Sequence, residues 1–470
     1  MTTTLGEIVA YGAERLRRDD PLLHQILSRE YRRQMDTLAM IAASSIADPS
    51  VLACQAHVIS NTTVEGYPGA RFHAGCEFVD DVERLAIERS KTVFGAQYAN
   101  VQPHSGTSAN QTVMFSLLQP GDCILGMDLN SGGHLTHGSK ASLSGRVFNA
   151  VGYGVDLQNR IDYDQIQRLA RQLKPKLIVC GASAYPRFID FKRFREIADE
   201  VQAYLLADIS HVAGLVAAGE HPSPIDHAHF TTTSTYKQLW GPRGGLILMG
   251  RDFDRLAPNG KMTLSALMQK AVFPMFQGTP SPNQIAAKAR ALAMVATDTF
   301  RQWARLVTDD ARMLASELHK RGYAVLTGGS DNHIVLVDIF ARGITGVIAE
   351  KSLEDCGIII NKNRIQNDTK PALVTSGMRL GTNIAALRRL GPKEMVECAN
   401  IIDSVLSAVE PRGDKEYTVP AAVKRGARDR VEDLCRQFPL TFYSLDREHL
   451  SSLPTHSVPS RPELSGGLAR

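Results

Sequence analysis

The sequence predicts an α/β protein, a mostly parallel sheet covered by helices on both faces, followed by a smaller α+β unit. Three observations carry that reading. Between Gly121 and Met249, short apolar runs alternate with amphipathic helical stretches, the pattern of βαβ units. The apolar runs are near-continuous, as strands buried on both faces are. After Met249 the alternation stops, and a Pro-rich stretch, a long helical stretch and scattered short strands follow.

The first 50 residues read as helical and polar, with apolar residues at helical spacing over 22–43 and Pro49 ending the helix. Gly66-Tyr67-Pro68-Gly69 is a turn, because Pro sets φ and Gly accepts positive φ. A helix over 79–94 and a strand over 98–102 follow. Ser105, Gly106 and Thr107 then stand where a strand meets a helix. Such residues either cap the helix or, with its free N–H groups and dipole, bind an anion. Strands are expected over 123–127, 146–150, 177–180, 204–207, 230–233 and 245–249, with helices over 163–173 and 191–201. Beyond them come a Pro-rich loop over 268–283 and a helical stretch over 284–321. Strands at 324–327 and 333–337, a helix-to-strand passage at 353–359 and a last helix at 421–438 complete the pattern. The expected organisation is an N-terminal arm (1–55), a large domain (56–290), a small domain (291–442) and a disordered tail rich in Ser, Pro and Gly (443–470).

Composition narrows the function classes. A net charge of +4 over 470 residues gives no nucleic-acid footprint. The seven cysteines are scattered with no CxxC pair, which fits reduced thiols in a cytoplasmic protein. Residues 1–20 lack an apolar signal core, and no stretch of about 18 apolar residues could span a membrane. His134 and His137 have no carboxylate or cysteine at metal-ligand spacing, so no metal is expected.

In doubly wound sheets, ligands sit at the carboxyl ends of the strands. There this sequence places Ser183, then Asp208 and His211, then Lys237 after the hydroxyl-rich run Phe230–Tyr236 that includes Ser234. A lone lysine in a polar loop is ordinarily a solvated surface residue. A lysine, a histidine and an aspartate at neighbouring strand ends describe one polar cleft, and a lysine amine becomes a nucleophile when burial suppresses its charge. Arg379, in VTSGMRLGTN, lies between strand-forming residues and suits a bidentate grip on a carboxylate.

The stretches VEGYPGARF, ANVQPHSGTSAN, GGHLTHGS, GASAY, LADISHVAGLVAAG, GPRGGLIL, NKN and VTSGMRLGTN occur in this order. In them, over about residues 20–440, the chain resembles the serine hydroxymethyltransferase family. The resemblance implies a pyridoxal 5′-phosphate (PLP) enzyme of fold type I with a seven-stranded sheet. It implies that Lys237 carries the internal Schiff base, Asp208 pairs with the ring nitrogen and His134 stacks on the ring. Ser183 and His211 would lie near the ring hydroxyl, with Ser234 in the cofactor set. Ser105, Gly106 and Thr107 would hold the phosphate, joined by Gly278 of a neighbouring subunit. Arg379 would bind the substrate carboxylate, and Glu65 would be the acid/base near the Cα–Cβ bond. Leu129, Leu135 and Asn363 match folate-contacting positions, which implies tetrahydrofolate as cosubstrate. A homodimer or tetramer with shared sites is also implied.

The chain departs from the family pattern at informative places. The usual Ser-Glu-Asn is Ala43-Ser44-Ser45, the usual His before the lysine is Tyr236, and the Gly-Gly-Gln-Gly-Gly loop is Met275-Phe276-Gln277-Gly278-Thr279. The tyrosine two residues before Glu65 is Thr63, and the Tyr-Tyr pair further on is Phe72-His73. Loss of the tyrosine ring leaves room for a substituent on Cα, with His73 altering a second wall. This looks like the 2-methylserine hydroxymethyltransferase branch, whose amino-acid product is D-alanine. Ordinary serine/glycine transfer, a folate-independent threonine aldolase or transaldolase, and a non-catalytic relative are the alternatives.

Overall fold

The computed structural model describes residues 4–443. Its centre is a seven-stranded sheet of β1 (Tyr98–Asn100), β2 (Cys123–Met127), β3 (Asn149–Tyr153), β4 (Leu177–Cys180), β5 (Tyr204–Asp208), β6 (Phe230–Ser234) and β7 (Gly245–Met249). The strands lie in the order β1-β7-β6-β5-β4-β2-β3. Strands β2 to β6 pair parallel, and β7 is antiparallel to both of its neighbours. Parallel neighbours need a long crossover, which the intervening helices supply. Strand β7 follows β6 through a turn alone and therefore runs back. The carboxyl ends of β2, β4, β5 and β6 share one rim.

A four-stranded antiparallel sheet follows, with β8 (Ala324–Val325), β9 (Ile334–Asp338), β10 (Asn361–Asn363) and β11 (Gly377–Gly381) in the order β8-β9-β11-β10. The helix Asp298–Lys320 belongs to both units. Phe300, Trp303, Ala304 and Val307 join the core of the large sheet, and Ala311, Leu314, Ala315 and Leu318 join the second core. Their three- and four-residue spacing lays one apolar stripe along the helix. Burying each large side chain stabilises by roughly 1.5–3 kcal/mol, so the helix fastens the two cores together.

Several elements differ from expectation for physical reasons. The helix expected over 22–43 ends at Asp36, and Leu38–Ala39 pairs instead with Ile358–Ile359. Leu38 and Met40 are fully buried in the second core, so a long-range partner decides an apolar run that local spacing leaves ambiguous. Pro49 opens a helix, Pro49–Gln55, with Asp48 accepting the Ser50 N–H at 2.8 Å. Proline has no N–H to lose at the first helical position. The strand expected over 146–150 is displaced to Asn149–Tyr153, because Leu143–Val147 turns helical and the pairing of Cys123 with Asn149 sets the register. The Pro-rich stretch is not all loop. The helix Leu264–Lys270, capped by Thr263, buries Met268 and leads on through the buried Ala271 and Val272 before the chain turns extended at Phe273. The stretch 284–321 is two helices, Pro282–Val295 and Asp298–Lys320, because Thr297 caps the second by accepting the Phe300 N–H. The strand expected over 324–327 stops at Val325, and Thr327 takes a left-handed φ of 61°. Tyr443 is anchored, its hydroxyl donating to the Ala47 carbonyl at 2.7 Å. The rest of the expected tail, 444–470, lies outside the described residues. Among the described residues no helix is long and apolar enough to cross a membrane.

Candidate active site

One cleft on the carboxyl rim is lined by Ser105, Gly106, Thr107, His134, His137, Ala182, Ser183, Asp208, Ser210, His211, Ser234, Tyr236 and Lys237. It gathers the expected cofactor residues apart from Gly278. Lys237 lies three residues beyond β6 and is buried. Burial pushes its amine down to about 8, Asp208 opposes that shift, and the Arg379 and Arg243 charges add to it. Arg243 stacks on the Tyr236 ring, 3.8 Å from its centroid.

Asp208 ends β5 and accepts from three donors. Its Oδ2 takes Asn110 Nδ2 at 2.7 Å and His137 Nε2 at 3.1 Å, and its Oδ1 takes the Ser210 N–H at 3.0 Å. Burial alone would raise this carboxyl. The His137 hydrogen bond leads the effects that outweigh burial and hold it well below the usual carboxylate range. The His137 tautomer follows from its partners. Its Nδ1 accepts the His134 N–H at 3.3 Å, so the proton sits on Nε2 and points at Asp208. In the same way His134 Nδ1 accepts from the Thr136 N–H at 3.2 Å, and burial pushes that imidazole down to about 4. The ligand atoms of His134, His137 and Asp208 lie within 4.8 Å of one another, as in a metal site. Here the His137 proton occupies the line to the carboxylate.

Ser105 caps the helix Gly106–Leu117, its Oγ accepting the Ser108 N–H at 3.0 Å. A side chain at 106 would crowd this turn, since a Cβ there would lie 3.2 Å from Ser210 Oγ and 3.3 Å from the Ser234 nitrogen. His211 is buried, its Nδ1 has no hydrogen-bond partner, and burial drives its pKa well down.

Arg379, on β11 of the small sheet, closes one side. Its Nε donates to Asn361 Oδ1 at 3.0 Å and its Nη1 to the Ser183 carbonyl. Burial pushes the guanidinium down to about 10. Leu129, Leu135 and Asn363 line an adjoining cleft with His134, Ser183 and Arg379. His134 and Ser183 therefore face both clefts.

The second group stands apart. Glu65 lies beside the hairpin Gly66–Tyr67/Ala70–Arg71, with His73 Nε2 at 3.5 Å. Gly278 sits against it, since a Cβ there would be 3.4 Å from Glu65 Oε1. Thr63, Phe72 and His73 are exposed. None of Thr63, Glu65, His73 and Gly278 lines the Lys237 cleft within the chain.

A family model described as serine hydroxymethyltransferase matches residues 16–402. The chain belongs to the serine hydroxymethyltransferase family. Its fold is accordingly that of the PLP-dependent transferases of fold type I. Members of this family use PLP and folate and carry out PLP-dependent hydroxymethyl transfer. The residues present fit PLP: a buried lysine amine of lowered basicity, a carboxylate fixed by three donors, a helix N-terminus crowded by hydroxyls, and an unpartnered buried imidazole nitrogen. Sequence reasoning missed Asn110 and Thr136, which brace Asp208 and His134, and it found no carboxylate for His137, whose partner Asp208 lies 71 residues on. It also missed Arg71, Asp80 and Glu83, which brace the Glu65 hairpin. Each stands within a motif or helix whose sequence gives no sign of its distant partner.

Proposed function

We propose that the protein transfers a one-carbon unit between 2-methylserine and tetrahydrofolate with PLP as cofactor, releasing D-alanine. The observation that carries the substrate reading is Thr63, exposed at the foot of the hairpin that presents Glu65, where the family has a tyrosine. An aromatic ring fewer beside Cα leaves room for a methyl group. One methyl in a pocket discriminates by about 1–3 kcal/mol, enough to reorder two substrates.

When bound, PLP supplies an electron sink that stabilises carbanion charge at Cα. The chain's residues do the rest. Asp208 holds a proton at the ring nitrogen through a carboxylate kept ionised by its three donors. Arg379 would grip the substrate carboxylate and so fix the orientation of Cα. Glu65 takes the proton from the β-hydroxyl as Cα–Cβ opens. Lys237, its amine brought down to about 8 by burial, would hold PLP through that amine until a substrate amine takes its place. Leu129, Leu135 and Asn363 form the folate cleft, which favours folate use over the folate-independent aldolase.

The separation of Glu65, Thr63, His73 and Gly278 from Lys237 supports a homodimer or tetramer in which each chain completes its partner's site. The helices Leu5–Asp19 and Pro21–Asp36 support it too, since neither buries a residue while Leu22, Leu23, Ile26 and Leu27 stand exposed. The seven unpaired cysteines fit a cytoplasmic setting.

The test is turnover of L-serine, 2-methylserine, D-alanine, glycine and L-threonine, each with and without tetrahydrofolate. Folate-dependent turnover of 2-methylserine and D-alanine is expected. L-serine turnover with none of 2-methylserine would point to the ordinary transferase, and folate-indifferent threonine cleavage to the aldolase. Thr63→Tyr should shift kcat/KM toward serine by about tenfold or more. An unchanged ratio removes Thr63 as the discriminating residue.

A further inference from the structure

The helix Pro282–Val295 brings Lys288 beneath the cofactor cleft. The side chain is buried, and its amine donates to the backbone carbonyls of Val101 (2.6 Å), Pro103 (3.0 Å) and Gly245 (3.0 Å). These carbonyls belong to the two segments that frame the anion cradle. Val101 and Pro103 lead directly into Ser105-Gly106-Thr107. Gly245 opens β7 so close to the cradle that a Cβ there would lie 2.3 Å from the Ser105 carbonyl oxygen and 3.1 Å from the Gly106 nitrogen. Gly244 makes room for the lysine stem, because a Cβ there would meet Lys288 Cε at 2.3 Å.

A buried ammonium is costly without a counter-charge. Lys288 has no carboxylate within hydrogen-bonding distance among the described residues. Across the helix interface it faces Glu83, already held by Arg71 Nη2 at 2.6 Å and Gln102 Nε2 at 2.8 Å. His104 and Arg243, which line the same small cavity, bring no negative charge. Burial pushes the Lys288 amine down to about 7. Its charge is therefore poised to respond to an anion arriving on the other side of the carbonyls it binds.

We propose that Lys288 is the counter-charge and positioning residue of the phosphate cradle, and that an anion binding at Ser105, Gly106 and Thr107 draws a proton onto its amine. The proposal rests on reading those residues as the phosphate site. The sign is fixed by linkage: a nearby dianion favours the charged amine, raises its pKa and causes proton uptake above pH 7, so affinity falls as pH rises.

The test is sulfate binding to the full-length Lys237→Ala protein, because sulfate stays a dianion throughout the range. This background removes the other amine that titrates there. Calorimetric titration at pH 8 in two buffers of different ionisation enthalpy reads the protons taken up. We expect about half a proton or more per sulfate, and an affinity about tenfold lower at pH 9 than at pH 6. In Lys237→Ala/Lys288→Gln, which keeps an amide donor without the charge, uptake should vanish and the pH dependence flatten. Equal uptake by the two proteins overturns the role of Lys288 while leaving the cradle in place. No sulfate binding to either removes the cradle and the coupling with it. If Lys288→Gln does not fold, the parent protein decides, and uptake under about 0.1 proton at pH 8 overturns the proposal.

Discussion

Arg71 closes the hairpin that presents Glu65, and its removal has a calculable cost. The side chain is 4% exposed. Its Nε donates to Asp80 at 2.8 Å and its Nη2 to Glu83 at 2.6 Å, while Nη1 donates to the carbonyls of Val64 at 3.1 Å and Gly66 at 2.8 Å. Arg71→Met keeps most of the stem and removes the charge. Two carbonyls then lose a partner, at about 1 kcal/mol each. Glu83, 1% exposed, is left with Gln102 alone, and breaking a buried pair costs about 3–5 kcal/mol. These effects overlap, so the expected loss is about 4–6 kcal/mol. Burial already raises the Glu83 carboxyl against the pull of Arg71. Without Arg71 it takes a proton on folding. A carboxyl whose folded pKa is raised contributes stability below its unfolded pKa and loses it as pH climbs toward the folded value. The penalty should therefore be larger at pH 8 than at pH 5, by up to about 1.4 kcal/mol for each unit by which the folded carboxyl is raised. Urea denaturation of wild type, Arg71→Met and Arg71→Met/Glu83→Gln at both pH values checks this. The double variant should recover about 2 kcal/mol and lose the pH dependence. Activity should fall with the single variant, since the Glu65 hairpin loses its brace. A penalty under about 1 kcal/mol, or one indifferent to pH, would refute the reasoning.

Two further outcomes follow from buried polar groups. Asp310 is fully buried in the helix shared by the two cores, neither carboxylate oxygen has a hydrogen-bond partner, and burial raises its pKa to about 9. It folds protonated, costing about 4 kcal/mol at pH 7, and that cost grows from about pH 4 to pH 9; Asp310→Asn should gain stability over wild type steadily across this window in denaturation curves. Asn110→Leu removes the 2.7 Å donor to Asp208 and should weaken PLP binding about tenfold or more, read by equilibrium titration of cofactor absorbance.

The alternation of strands and helices between Gly121 and Met249, the helix start at Ser105, and the positions of Asp208 and Lys237 at or just beyond strand ends were determined by the sequence alone. The reason is local. Period, capping chemistry and the rule that ligands gather at carboxyl ends all act within a few residues. Thr63, too, is a departure visible only against a family pattern. What the tertiary structure decided are the partners. Asn110 and Asp208 are 98 residues apart, His137 and Asp208 are 71 apart, and Lys288 and Val101 are 187 apart. No spacing rule links such pairs, because the sheet order brings them together only after the crossovers are made. The run Leu38 to Met40 became a strand edge in the second core rather than more helix for the same reason. Its apolar side chains gain more from Ile358 and Ile359 and their neighbours than from another helical turn exposed to water. The Glu65 hairpin carries the clearest case. Its turn is written in Gly66-Tyr67-Pro68-Gly69, but its rigidity depends on a buried arginine whose charge is matched by a helix that the turn itself does not predict.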